Sequence, residues 1–119
     1  MIKMTMFLKR KASMSHEDFV KHHVEVHGPK FRSIPEAEGH CLRYIQTHPV
    51  PLETDVAKND DFDGTAELWF DSEQGMQAVL TSDTYKNVVF PDEKTFLDHD
   101  NTLILVGEQE EIIGEYREG

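Results

Sequence analysis

The stretch Thr65-Ala66-Glu67-Leu68-Trp69-Phe70-Asp71-Ser72 decides the architecture. Its first six residues alternate, with Ala66, Leu68 and Phe70 on one side of an extended chain and Thr65, Glu67 and Trp69 on the other. A two-residue period of this kind marks a strand with two different faces. Asp71-Ser72 then supplies a helix cap, and Met76, Val79 and Leu80 follow at helical spacing. Leu68 and Phe70 are therefore expected beneath a helix, and Trp69 on the face the helix does not cover.

The pattern repeats on both sides. Upstream, residues 2 to 9 alternate Ile2, Met4, Met6 and Leu8 against Lys3, Thr5, Phe7 and Lys9. Met14-Ser15-His16-Glu17-Asp18 opens a helix, with Ser15 as N-cap and Asp18 completing a capping box. Phe19, Val20, His23, Val24 and His27 continue it, and Gly28-Pro29 is expected to stop it. Residues 40 to 48 read as a second strand, with Leu42, Tyr44, Gln46 and His48 on one face and Cys41, Arg43, Ile45 and Thr47 on the other. Pro49 to Gly64 reads as a long exposed loop. Downstream, residues 83 to 97 read as irregular or short helical turns, and Leu103 to Val106 as a fourth, nearly continuous apolar strand. The tail beyond Gly107 is expected to continue that strand through Ile112 and Ile113.

The order is β-α-β-β-α-β, the ferredoxin-like split βαβ pattern of the α+β class: an antiparallel sheet with two helices on one face. Residues 1–119 suit one such domain. The other sheet face must find a partner or meet water. Trp69, Tyr44 and Phe7 are expected there, under a second subunit.

Composition narrows the partners. Twelve Lys and Arg against 23 Asp and Glu leave a net charge of −11. A field of that sign repels phosphate backbones and anionic lipid, so no nucleic acid and no membrane is expected as partner. Asp60-Asp61-Phe62-Asp63 and the run from Glu108 to Glu111 read as solvated loops. Cys41 is the sole cysteine, which precludes an intrachain disulfide and fits a reducing compartment. No run approaches the roughly 20 apolar residues of a membrane span, and the lysine-broken N-terminus is no signal segment, so a cytoplasmic protein is expected.

Met14-Ser15-His16-Glu17-Asp18-Phe19 followed by Val26-His27-Gly28-Pro29 resembles the first-helix signature of the EthD family. Tyr44-Ile45-Gln46-Thr47-His48 is similar to its second strand, and Ala66 to Ser72 to its third strand and turn. Phe96-Leu97-Asp98 resembles the segment before its last strand, so the likeness runs in order along nearly the whole chain. The resemblance implies a dimeric α/β barrel: a homodimer whose two sheets close face to face around a pocket for a small-molecule ligand. Relatives of this kind take part in bacterial ether and lactone degradation and in fungal polyketide tailoring, by cofactor-free isomerisation, dehydration or decarboxylation. Methylmuconolactone methylisomerases are among them. The expectation is a cofactor-independent lyase or isomerase for a cyclic or aromatic carbonyl compound. Two alternatives stand beside it: a non-catalytic ligand-binding or accessory protein, and a haem-binding barrel, because other dimeric α/β barrels hold haem through a histidine.

Seven histidines occur, four of them between positions 16 and 27. His23 and His27 share a helical face. A metal would need a third protein ligand, and no His-Glu-x-x-His pattern is present, so no metal is expected. His27 has two readings: a helix-end residue hydrogen-bonded to a carbonyl, or a general acid/base, since imidazole takes and gives protons near neutrality. His23 reads as its packed neighbour bordering the ligand, and His16 and His22 as surface residues. Tyr44, Gln46 and His48 on one strand face could bind a carbonyl or enolate oxygen and move a proton beside it. His48, just before Pro49, can equally face water at the strand end. Glu67 reads either as a base with a raised pKa in an apolar cavity or as the ion-pair partner of Arg43 or of a lysine from the second subunit. Trp69 and Phe7 are expected to wall the pocket. No phosphate-binding glycine loop and no nucleophile elbow occurs.

Overall fold

The computed structural model describes residues 1–114. Four strands, β1 (Ile2–Leu8), β2 (Cys41–Thr47), β3 (Gly64–Phe70) and β4 (Leu103–Gly107), form one antiparallel sheet in the order β2-β3-β1-β4. Between β1 and β2 lie α1 (His16–His22), a π turn π1 (His23–His27), α2 (Gly28–Arg32) and α3 (Pro35–His40). Between β3 and β4 lie α4 (Glu73–Leu80), a second π turn π2 (Tyr85–Val89) and α5 (Phe90–Phe96). This is the ferredoxin-like arrangement expected from the alternation. Ser15 and Ser72 cap α1 and α4 by accepting from the backbone N–H groups of Asp18 and Gly75.

The two-residue period becomes two faces. Met4, Leu8, Ala66, Leu68 and Phe70 are buried beneath the helices with Phe19, Phe31, Val79, Val89 and Phe96. Truncating one such phenylalanine to alanine costs about 3–5 kcal/mol through lost transfer energy and the hole left behind. On the other face Lys3 pairs with Trp69 across β1 and β3, and Thr5 with Glu67.

The helices depart from expectation. Gly28-Pro29 does not end the first one. The chain widens into π1, Gly28 N–H bonds the His23 carbonyl five residues back, and helical backbone continues through Pro29 to Arg32. A proline has no N–H to give and crowds the preceding turn, so it fits where the ladder has already been widened. The same device recurs on the other side of the molecule, where Phe90 N–H bonds the Tyr85 carbonyl and Pro91 follows. The segment expected as irregular or short helical turns is thus a nearly continuous helix from Tyr85 to Phe96.

Two further corrections concern the ends of elements. Asp63, placed by its acidic neighbours among solvated residues, is buried: it accepts from Arg10 N–H at 2.9 Å and lies 2.8 Å from His16 Nδ1. Burial raises its pKa, but those two hydrogen bonds and the charges of Arg10 and Lys9 together outweigh burial and hold it below the usual value. His16 is accordingly tied to the loop rather than free on the surface. Residues 108–114 do not extend β4, which ends at Gly107, and Ile112 and Ile113 stand almost fully exposed.

Candidate functional site

The register of β2 on β3 settles which side chains meet. Tyr44 lies opposite Leu68 and Gln46 opposite Ala66, so both point under the helices with the core residues of β3. Cross-strand partners share a face. A register shift between Cys41 and Arg43 inserts Leu42 as an extra residue and sets this phase. A cavity of about 230 Å³ remains between sheet and helices, walled mainly by apolar residues such as Met6, Leu68 and Phe96. Six polar side chains line it: His23, His27, Tyr44, Tyr85, Glu93 and His99.

His27 is buried, and its Nδ1 lies 2.8 Å from Oδ2 of Asp92, itself buried at the start of α5. The carboxylate also receives His22 Nε2 at 2.9 Å and Lys30 Nζ at 3.4 Å. Burial pushes the Asp92 pKa up, but the hydrogen bonds and charges of His27 and His22 outweigh it and hold the carboxyl below its ordinary value. The π turn makes this possible. Residues five apart cannot share one side of an α-helix, yet across a wider π turn His22 and His27 reach one carboxylate.

His23 is buried to 1 % exposure, and its Nδ1 meets His48 Nε2 at 2.9 Å. Burial, with the charges of His48, His27 and His22 after it, lowers the His23 pKa to about 3, so the ring is neutral. Tyr44 is held by Gln46, whose Nε2 donates to the phenol oxygen at 2.9 Å and to the His23 carbonyl at 2.8 Å. Burial pushes the Tyr44 pKa up to about 12, so the phenol keeps its proton. That proton is free to point at a ligand, because the oxygen is already the acceptor in the bond from Gln46. Opposite, Tyr85 donates to Glu93 Oε2 at 2.6 Å, and His99 Nε2 lies 3.3 Å from Oε1. Burial and the Glu93 carboxylate raise the Tyr85 pKa beyond its ordinary range.

A model of the EthD domain matches residues 11–100. The chain belongs to the EthD family. Among solved structures it is similar to an EthD family protein of Bacillus halodurans C-125, with 19 % identity over 92 % of this chain and 99 % of that one and a TM-score of 0.70. A dimeric ferredoxin-like protein of Thermobifida fusca YX matches over 91 % and 90 % of the two chains with 12 % identity and a TM-score of 0.67. HapK of Hahella chejuensis matches over the full length of both at 12 % identity and a TM-score of 0.66. At such identities the likeness is one of fold. Comparison with curated protein sequences gives no match.

Within this EthD domain the expected site divides between the two sheet faces. His23, His27 and Tyr44 border the cavity together, and Gln46 and His48 stand behind them as hydrogen-bond partners. Glu67, Trp69 and Phe7 lie on the open face. There Glu67 pairs with Lys3 Nζ at 2.7 Å, Lys3 and Arg43 lie over the Trp69 ring, and Phe7 packs on Phe62. Tyr44 was expected with Trp69 and Phe7; the β2 register puts the sheet between them. His22, expected at the surface, is drawn to Asp92. Asp92, Glu93, Tyr85 and His99 were not anticipated as site residues, and the one hint of them was Phe90-Pro91-Asp92-Glu93, which repeats the X-Pro step of Gly28-Pro29. Among the described residues no group of three or more His, Cys, Asp or Glu is placed to hold a metal ion, and no helix is long and apolar enough to cross a membrane.

Proposed function

We propose that this EthD domain is a cofactor-independent lyase or isomerase that moves a proton next to the carbonyl of a small cyclic or aromatic compound. The observation that carries the reading is the His27–Asp92 pair at 2.8 Å on the wall of a largely apolar cavity shared with the Tyr44 phenol. With Nδ1–H donated to Asp92, His27 keeps its Nε2 lone pair for the ligand. The substrate oxygen accepts from Tyr44 O–H. Nε2 takes the proton from the adjacent carbon, the electron pair moves onto oxygen, and the enolate is held by the phenol. The imidazolium so formed stands against the Asp92 carboxylate, which offsets its charge in a largely apolar cavity. Returning the proton to a different carbon is isomerisation; losing a β-hydroxyl as water is dehydration. A cavity of about 230 Å³ lies below the usual ~300–1,000 Å³ of drug-sized ligand sites, which points to a molecule of one or two rings.

The test is turnover of cyclic enol-lactones and β-hydroxy ketones by Tyr44→Phe and His27→Ala. Loss of one oxyanion donor in Tyr44→Phe lowers kcat by about 10²-fold or more while stability changes little. Full activity in both variants would take Tyr44 and His27 out of the mechanism, and no turnover by the wild type would assign the cavity to ligand binding without catalysis.

The open sheet face supports a homodimer. Phe7 is 41 % exposed and Leu105 67 %, and Trp69 lies beside them on the same face. A second copy placed sheet to sheet would cover these apolar groups, and one neighbour of the same fold is described as dimeric. Sedimentation at micromolar concentration should show a dimer; a stable monomer would remove this part of the reading.

A further inference from the structure

The His27–Asp92 pair leaves one contact in the site unused. His23 and His48 come from different elements, π1 and the residue just after β2, and their rings meet edge to face with Nδ1 of one 2.9 Å from Nε2 of the other. A neutral imidazole has one donor and one acceptor nitrogen, so the pair shares a single bridging proton. The two rings differ in exposure: His23 is sealed inside and lines the cavity, whereas His48 is half-buried at the edge of the long loop. Among the described residues neither ring pairs with a carboxylate. The charged or titratable groups facing them are His22 and His27 beside His23, and His16 beside His48.

The contact is also built for. Gly64, buried at the start of β3, lies directly against the His48 ring, and a Cβ there would meet His48 Cδ2 at 2.9 Å and the Thr47 carbonyl at 3.0 Å. Glycine is the residue that leaves the ring its place. On the other side the backbone of His23 is held by Gln46 and by the π-turn bond from Gly28. Each ring is thus positioned independently of the other.

We propose that His48 and His23 form a two-imidazole path that carries protons between solvent and the cavity, with His48 acting through His23. A solvent proton adds to His48 Nδ1 while the His48 Nε2 proton crosses to His23 Nδ1 and the His23 Nε2 proton leaves into the cavity. One proton enters and one leaves. Both rings end neutral with their tautomers exchanged, and the bridging hydrogen bond is reversed. Burial lowers the pKa of each ring, so neither holds the proton in passage. The path gives the cavity a proton source distinct from His27. It rests on the reading of the cavity as a place of proton transfer, but its test needs no substrate.

The experiment is NMR of the histidine rings in the 15N-labelled protein. A coupling between His23 Nδ1 and His48 Nε2 across the hydrogen bond is expected, with rapid exchange of the His23 ring proton with water despite its burial. His48→Gln keeps an N–H for His23 Nδ1 but cannot pass a proton on, so exchange should slow at least tenfold with the amide spectrum otherwise unchanged. Millimolar imidazole should restore it in His48→Ala. Gly64→Ala, which displaces the ring while keeping both histidines, should slow exchange as well and serves if His48→Gln does not fold. Equal exchange in wild type and either variant, or no coupling in wild type, would overturn the path. The outcomes separate cleanly: a lost path with Tyr44→Phe still impaired leaves the proposed mechanism standing, and an intact path with full activity in Tyr44→Phe and His27→Ala removes that mechanism instead.

Discussion

His23 and His27 stand one turn apart on the same helix, with ring centroids 6.1 Å apart, and both line one cavity, yet they are equipped for opposite work. The second nitrogen of His27 meets a buried carboxylate; that of His23 meets another imidazole. With its Nδ1 turned to Asp92 at 2.8 Å, His27 leaves its Nε2 lone pair for a ligand. An imidazole partner in a buried site disfavours charge, so His23 stays neutral and is suited to passing protons along. The contrast shows that a histidine's chemistry is set by what its far nitrogen touches.

The strongest way to break the contrast is Asp92→Asn. An amide whose N–H meets His27 Nδ1 forces the other tautomer and takes the lone pair away from the cavity. Turnover should fall by about 10³–10⁴-fold, as when the orienting carboxylate of a catalytic triad becomes an amide. A loss under tenfold would mean that His27 does not depend on its partner.

Acid sharpens the contrast from the other side. A histidine whose pKa is lowered on folding binds its proton more tightly in the unfolded chain. The neutral His23 ring therefore contributes stability that is present above pH 6.5 and is lost as pH falls from 6.5 toward about 3. The difference amounts to about 4–5 kcal/mol over that window. Asp63 and Asp92, with folded pKa values below their unfolded ones, add a loss that begins only as the unfolded carboxylate range near pH 4 is approached. Denaturant titrations between pH 7 and 4.5 should show the steep fall in wild type and a flatter one in His23→Gln. Parallel slopes would show that His23 does not govern this range.

The smallest effect belongs to the open face, remote from both histidines. Lys3→Met removes the partner of Glu67, a pair with both side chains about one-quarter exposed. Monomer stability measured by urea unfolding should change by less than about 1 kcal/mol, and turnover should not change. A large loss of turnover there would tie the open face to the cavity and undo the separation of the two sheet faces.

Much of the fold was legible because its signals are local. Alternation in Ile2–Leu8 and Gly64–Phe70, and the serines ahead of His16 and Glu73, depend on neighbours within a few residues. Gly28-Pro29 misled for the same reason: the pair reads as a stop, and only the widened ladder ahead of it lets the helix continue. The site was legible in part. His27, Tyr44 and Gln46 were singled out by residue type, shared strand face and family likeness, but Asp92, which equips His27, was not.

By itself, the sequence determined the order of elements, the two-faced strands, the acidic character and the membership of the EthD family. Tertiary structure alone decided which face of β2 looks inward, because a one-residue shift at Leu42 turns Tyr44 from one side of the sheet to the other without altering the alternation. It also decided the chemistry of the two histidines. Asp92 stands 65 residues from His27 and His48 stands 25 from His23. No periodicity links residues so far apart; the packing of α5 and β2 against the π turn brings them within hydrogen-bond reach.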